Sequence, residues 1–462
     1  MMRRIAHSLA ATVALAASAF AVPALAQDVT ITNATVATGD GSEPIANGTV
    51  VVRGGAVVYA GPAAGAPAAA GQAIDAQGGW VTPGLFATLT DIGIVDVFGV
   101  SNSNDTTARG SPFSAAIDIA PAVNPAAQNV AISRAGGVTR ATVAPEATTS
   151  IFAGQGAVID LGDDRDAVMR PRAFQYVELG EGGARLAGGS RASAHALLRN
   201  ALREATNYGE DARLTGDTRN ARVTTGDDLP LDPRMTGRAE RDGDVLLTRF
   251  DAAALVPVVT GQQVLYVEVD RAQDILNALD LKREFPNLRM VLVGAAEGWM
   301  VADQIAASGV PVITHPLTDL PSSFEQLAAT QSNVGRMVDA GVTVGIGRFN
   351  DMNHARYAPQ QAGNLVGLAR VPGATGLTWG EAFAAITSIP AAISGYEGRA
   401  GVLAPGAYGD VVIWDGDPLE LTSAPLRVWI DGVEQPLDNH QSRLRERYRD
   451  LDEDELPKAY DW

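Results

Sequence analysis

Residues 81–398 alternate short apolar, strand-like runs with longer helix-like runs, and this alternation narrows the folds open to the chain more than any other feature. Segments 138–143, 174–178, 264–268, 290–293, 310–313 and 342–346 are β-branched and apolar, the texture of strands buried on both faces. Helical periodicity falls at 194–206, 270–284, 299–308, 324–340 and 379–394. The βαβα order predicts a parallel sheet. A first strand after the Pro83-Gly84 turn and a third near 157–161 bring the number to eight. Eight strands in roughly 300 residues fit an α/β fold of the TIM-type (β/α)8 barrel class better than an open sheet. No glycine-rich phosphate loop follows any strand.

Both ends read differently. Residues 28–74 alternate apolar and polar positions in short runs broken by Gly39-Asp40-Gly41, Asn47-Gly48 and Gly54-Gly55, which are hairpin signals. Residues 401–432 repeat that texture, so the two ends are expected to build one discontinuous domain (28–80 with 399–436) beside a barrel of 81–398. Residues 181–244, rich in Arg, Asp, Gly and Thr, read as an excursion between the fourth and fifth strands, with His195 on its surface. Residues 437–462 form a charged tail.

The first 26 residues have a basic start (Arg3, Arg4), an apolar stretch and Ala24-Leu25-Ala26 before Gln27, the layout of a cleaved secretory signal. The apolar run falls short of the roughly 18–20 residues of a membrane span. The expectation is an exported, periplasmic protein cleaved after Ala26 and free of the membrane thereafter. A formal charge of −18 argues against nucleic acid and anionic lipid as partners, since both need a basic footprint. With no cysteine there are no disulfides, and the fold must rely on its core.

The run from Pro83-Gly84 through Leu89 and Asp91 to Gly93 resembles the first barrel strand of the amidohydrolase superfamily. Residues 401–419, from Gly401 through Pro405-Gly406 and Asp410 to Trp414-Asp415-Gly416-Asp417-Pro418-Leu419, resemble the closing motif of its imidazolonepropionase-like branch. The resemblance implies a β-sandwich made from both chain ends and hydrolysis of C–N bonds in cyclic or peptide-like amides. It also implies a metal centre with histidines after the first, fifth and sixth strands and an aspartate after the eighth. Carried over, the first-strand histidine positions fall on Leu89 and Asp91, the fifth-strand one on Glu268, and the aspartate on Phe349; Gly294-Ala295-Ala296-Glu297 offers no histidine. The usual metal ligands are therefore replaced, with Leu89 and Phe349 expected to fill the space with apolar volume.

What remains near the mouth is Asp91, Glu268 and Asp351 as candidate catalytic carboxylates, and His315, His354 and Arg348 as candidate substrate-binding residues. No cofactor is expected. An oxygen-rich, weak divalent site made by Asp91, Glu268 and Asp351 with His315 stays open, as does a metal-free acid and base pair of Asp91 and Glu268. So does a mouth of ordinary solvated polar residues. The partner is a small-molecule substrate or ligand. Two functions follow: a C–N hydrolase with a degenerate site, or a catalytically silent binding subunit that pairs with an intact homologue. Homo-oligomerisation is the further partner expectation.

Overall fold

The computed structural model describes residues 26–216, 246–350 and 354–449. Residues 1–25, 217–245, 351–353 and 450–462 lie outside the described residues, and with them the expected secretory signal, most of the expected excursion, Asp351 and the end of the tail. No described helix is long and apolar enough to cross a membrane.

The amino end forms β1 (Val29–Val36), β2 (Ile45–Arg53), β3 (Ala56–Pro62), β4 (Gln72–Asp75) and β5 (Trp80–Pro83). β1, β2 and β3 meander antiparallel, while β4 and β5 run parallel to β1. Gly84 then turns the chain into the barrel. A Cβ there would lie 2.1 Å from Thr139 Oγ1, so a larger residue would push the first barrel strand off its neighbour.

The barrel strands are β6 (Leu85–Thr90), β7 (Val138–Val143), β8 (Phe152–Asp160), β9 (Val168–Glu178), β10 (Val264–Val269), β11 (Met290–Gly294), β12 (Val312–Thr314) and β13 (Val344–Ile346). They neighbour one another in chain order. The ring nearly closes where Arg348 N–H donates to Thr88 O at 3.1 Å and Thr90 bridges Phe349. Around it lie α1 (Gln128–Ala135), α2 (Glu181–Leu186), α3 (Arg191–Gly216), α4 (Arg249–Val259), α5 (Ala272–Glu284), α6 (Ala302–Ser308), α7 (Asn333–Asp339), α8 (Ala358–Leu368), α9 (Trp379–Ala384) and α10 (Ser388–Ile393).

Alternation along the strands divides the core in two. Outward residues such as Val267 and Leu292 pack on helical Leu198 and Ile275. Inward residues Leu89, Phe174, Tyr176, Tyr266, Val291, Val293 and Ile313 fill the barrel, with Phe174 and Tyr266 stacked at 4.2 Å. Each large side chain buried this way contributes about 1.5–3 kcal/mol.

The chain returns through β14 (Val411–Trp414), β15 (Pro425–Ile430) and β16 (Val433–Glu434), and ends in the exposed helix α11 (His440–Arg447). β14 pairs antiparallel with β5, placing Val411 opposite Pro83 and Trp414 opposite Trp80, so both chain ends share one sheet. Arg140 on β7 ties this sheet to the barrel. Its Nε donates to Asp410 Oδ2 at 2.7 Å and its Nη2 to Asp410 Oδ1 at 3.0 Å and Asp431 Oδ1 at 2.7 Å. The guanidinium also lies 3.9 Å from the centre of the Tyr408 ring.

Three expectations need correcting. β8 runs antiparallel to both neighbours, so the sheet is not wholly parallel. The connections at 144–151 and 161–167 are shorter than the dozen or so residues a crossover needs, and they make hairpins instead. Helix is confined to α7 within 324–340, because the preceding backbone is spent elsewhere: Ala328 N–H donates to Glu297 Oε1 at 3.0 Å, and Gln331 N–H to Asp319 Oδ1 at 3.3 Å. The start of the 181–244 segment is barrel wall rather than excursion. Ala194, Leu198, Ala201, Leu202 and Ala205 form a buried stripe, and His195 is itself only 8% exposed.

Candidate functional site

The carboxyl ends of β6, β9 and β10 and the turn after β13 surround a cavity of about 220 Å³. Leu89 and Asp91 stand on one wall, Tyr176, Glu178 and Glu268 on another, and Arg348 and Asn350 close the ring. Residues 144–147 and Thr106 make the rim. Leu89 (φ +55°) and Arg348 (φ +66°) hold left-handed backbone, which costs a non-glycine residue about 1–3 kcal/mol. Hydrogen bonds from Leu89 N–H to Thr142 Oγ1 at 2.8 Å and from Arg348 N–H to Thr88 O keep both in place. Backbone of this kind is concentrated at sites that do work.

An ion pair dominates the interior. Arg348 Nη2 contacts Glu268 Oε1, and Tyr176 Oη donates to Glu268 Oε2 at 2.5 Å, so both oxygens of Glu268 are engaged. The charge of Glu268 raises the Arg348 guanidinium's affinity for its proton. Burial, then the Glu268 charge, pushes the Tyr176 phenol well up. Glu178 is the direct cross-strand neighbour of Glu268. Burial first, and the Glu268 charge second, push its carboxyl up to about 7. A Cβ on Gly182 would lie 1.3 Å from Glu178 Oε1, so the glycines opening α2 make the room in which this carboxyl sits.

With this geometry in hand, the relatives can be placed. Residues 288–434 match the Amidohydrolase family. That match lies in the carboxyl-terminal part of the chain and takes in the last barrel strands and the returning strands of the shared sheet. Its fold is that of an amidohydrolase from Thermotoga maritima MSB8, with a TM-score of 0.72 and 23% identity over 88% of this chain and 99% of that one. Amidohydrolase tasK of Hapsidospora irregularis is 43% identical over 60 residues, which are 13% of this chain. The match spans only 6% of the length of that curated relative.

Within this fold, the expected site residues scatter. Asp91, Glu268 and Arg348 reach the cavity together, Asp91 at 6% exposure. His315 is half-buried off the cavity wall, its imidazole pushed down by burial and by Arg348. His354 packs its ring 5.7 Å from Phe98 and 5.7 Å from Tyr357, also off that wall. Asp351 lies outside the described residues. Leu89 fills the barrel interior as expected, but Phe349 packs in the outer layer. Arg348 is instead the residue that turns inward after the eighth strand. Tyr176 and Glu178 escaped the motif comparison, although their two-residue spacing from inward-facing Phe174 along β9 is a legible signal.

The family's metal centre does not fit these residues. Its positions hold an aliphatic side chain and a carboxylate whose two oxygens are bound by a guanidinium and a phenol, and a divalent ion would have to displace that fixed cation. Among the described residues, no three His, Cys, Asp or Glu side chains come close enough to hold a metal, and Asp351, one of the four groups of the expected oxygen-rich site, lies outside them.

Proposed function

We propose that this is an exported superfamily hydrolase that cleaves C–N bonds in small cyclic or peptide-like amides at the barrel mouth, without its family's metal. The observation that carries the reading is the Arg348 guanidinium, fixed by Glu268 against the cavity. Amide hydrolysis builds negative charge on the carbonyl oxygen, and a pre-oriented cation in a partly dehydrated cavity stabilises that charge without reorganising during the reaction. Carboxylates on the same wall supply the proton acceptor that an attacking water needs. The test is hydrolysis of a panel of cyclic imides and dipeptides by mature protein in chelator. Turnover that survives chelation and falls about 100-fold or more in Arg348→Met supports the reading. No turnover across the panel sinks it.

A second reading has its own support: a silent binding subunit paired with an intact homologue. The cavity, at about 220 Å³, is smaller than the roughly 300–1,000 Å³ usual for ligand pockets. Co-expression with such a homologue, read by co-purification and by its activity, tests it. Export is checked by intact mass, with Gln27 as the expected first residue.

A further inference from the structure

We infer that Glu178 is the proton-carrying catalytic residue of this mouth, while Glu268 is the fixed anion that holds Arg348 and Tyr176. The inference rests on the amide-hydrolase reading and gives it a residue that neither family motif indicates. Four observations carry it. Glu178 ends β9 on the cavity wall, directly beside Glu268 in the strand register. Both oxygens of Glu268 are taken, whereas the Glu178 carboxyl has no hydrogen-bond partner among the described residues. The Gly182 position leaves that carboxyl a cradle which any Cβ would fill. Charges of both signs face it: Glu268 on β10 and Glu325 from the loop after β12 oppose its ionisation, and Arg185 on α2 and Arg348 favour it. Asp91 and Glu146 line the same cavity.

A carboxyl that exchanges its proton near neutral pH can act in both halves of the reaction, and its value of about 7 agrees with that role. In the first half, the oxygen of a water forms a bond to the amide carbon. One water proton passes to the Glu178 carboxylate, and the carbonyl π pair moves onto oxygen on the side of Arg348. In the second half, the C=O re-forms and the C–N bond breaks, its electron pair going to nitrogen, which takes the proton from Glu178. Amide and water become acid and amine, and Glu178 returns to its starting state.

Glu178→Gln keeps size and removes the exchangeable proton. With a substrate from the panel, the expected result is a kcat fall of about 10²–10⁴-fold with a much smaller change in KM, and loss of the wild-type pH-rate limb near pH 7. A second readout needs no turnover: the infrared carbonyl band of a protonated carboxyl should titrate near pH 7 in the wild type and be missing from the variant. If the wild type turns over but the variant keeps its rate and pH profile, the inference fails and the hydrolase reading stands. Titration of that band at the ordinary glutamate value of about 4.3 overturns the inference in the same way. If the wild type hydrolyses nothing, the hydrolase reading falls and takes this role with it.

Discussion

Replacing Arg140 by methionine should cost the fold about 3–5 kcal/mol at neutral pH, the usual penalty for leaving a buried charge without its partner. Arg140 is 1% exposed, and the Asp410 side chain is 2% exposed. Without the guanidinium, Asp410 and Asp431 would face each other across the joint between sheet and barrel, with the Asp431 N–H at 3.0 Å left as a donor to Asp410. The packing against Tyr408 would also be lost. Two facing carboxylates bind a proton more tightly folded than unfolded, so the penalty should shrink as pH falls from about 7 toward 5. Arg140→Met with Asp410→Asn removes both charges and should recover at least about 2 kcal/mol of the loss. Guanidinium denaturation followed by tryptophan fluorescence suits the question, since Trp414 and Trp429 lie buried in the joined sheet. A single variant within about 1 kcal/mol of wild type at neutral pH, or strict additivity in the double variant, would refute the argument.

Three further outcomes are expected. Burial pushes Asp160 up to about 6. Its folded value lies above its unfolded one, so its charge destabilises progressively as pH rises from about 4 to 6. Asp160→Asn can still accept from Gly162 N–H, now 2.9 Å away, and should raise the denaturation midpoint above about pH 6, by about 1–3 kcal/mol, with no gain near pH 4. His195 is buried with both ring nitrogens unpartnered, and burial, then Arg199, pushes its imidazole down. Its stability contribution is complete above about 6.5 and is lost as pH falls through that value, so His195→Leu should have a flatter stability profile between about pH 7 and 5. Dialysed protein should hold well under one zinc per chain and melt unchanged in chelator; stoichiometric zinc, or a chelator-induced fall in Tm, would contradict the poor fit of Leu89 and the Arg348–Glu268 pair to a metal.

The fold was legible where periodicity alone decides it. β6, β7 and β10 to β13 announce themselves as apolar, β-branched runs, and the shared sheet of the chain ends follows from matching hairpin texture. Strand direction was not legible, because a run such as 157–161 reads alike in either sense, and only the lengths of its connections betray β8. His195 was misjudged because its neighbours Arg191, Arg199 and Arg203 suggest a wet helix. Their ion pairs with Asp274 and Glu284 instead place them along a seam against α5. At the mouth, aligning motifs located Asp91 and Glu268 but could not say which atoms those carboxylates meet. Arg348 emerged as the inward cation only because its left-handed backbone turns Phe349 to the outer layer, a reversal that motif spacing cannot express.

The reversal of β8 also explains why the mouth is small. In an all-parallel barrel the third strand would finish at the mouth and lead away into a helix. Here β7 ends there and the chain turns straight back, so the hairpin at 144–151 leans over the opening and brings Pro145, Glu146 and Ala147 to the cavity rim. Glu146 N–H donates to Thr106 O at 2.8 Å, pinning the hairpin to the long segment after β6. The rim therefore rests on two connections rather than on the strand ends. The width of the opening is set by that pair of loops, and the charge arrangement beneath them by β9, β10 and the turn after β13. The shape of a mouth built this way needs no metal ligand to hold it, because the contacts that define its floor are the aliphatic Leu89, the aromatic stack of Phe174 and Tyr266, and one internal ion pair.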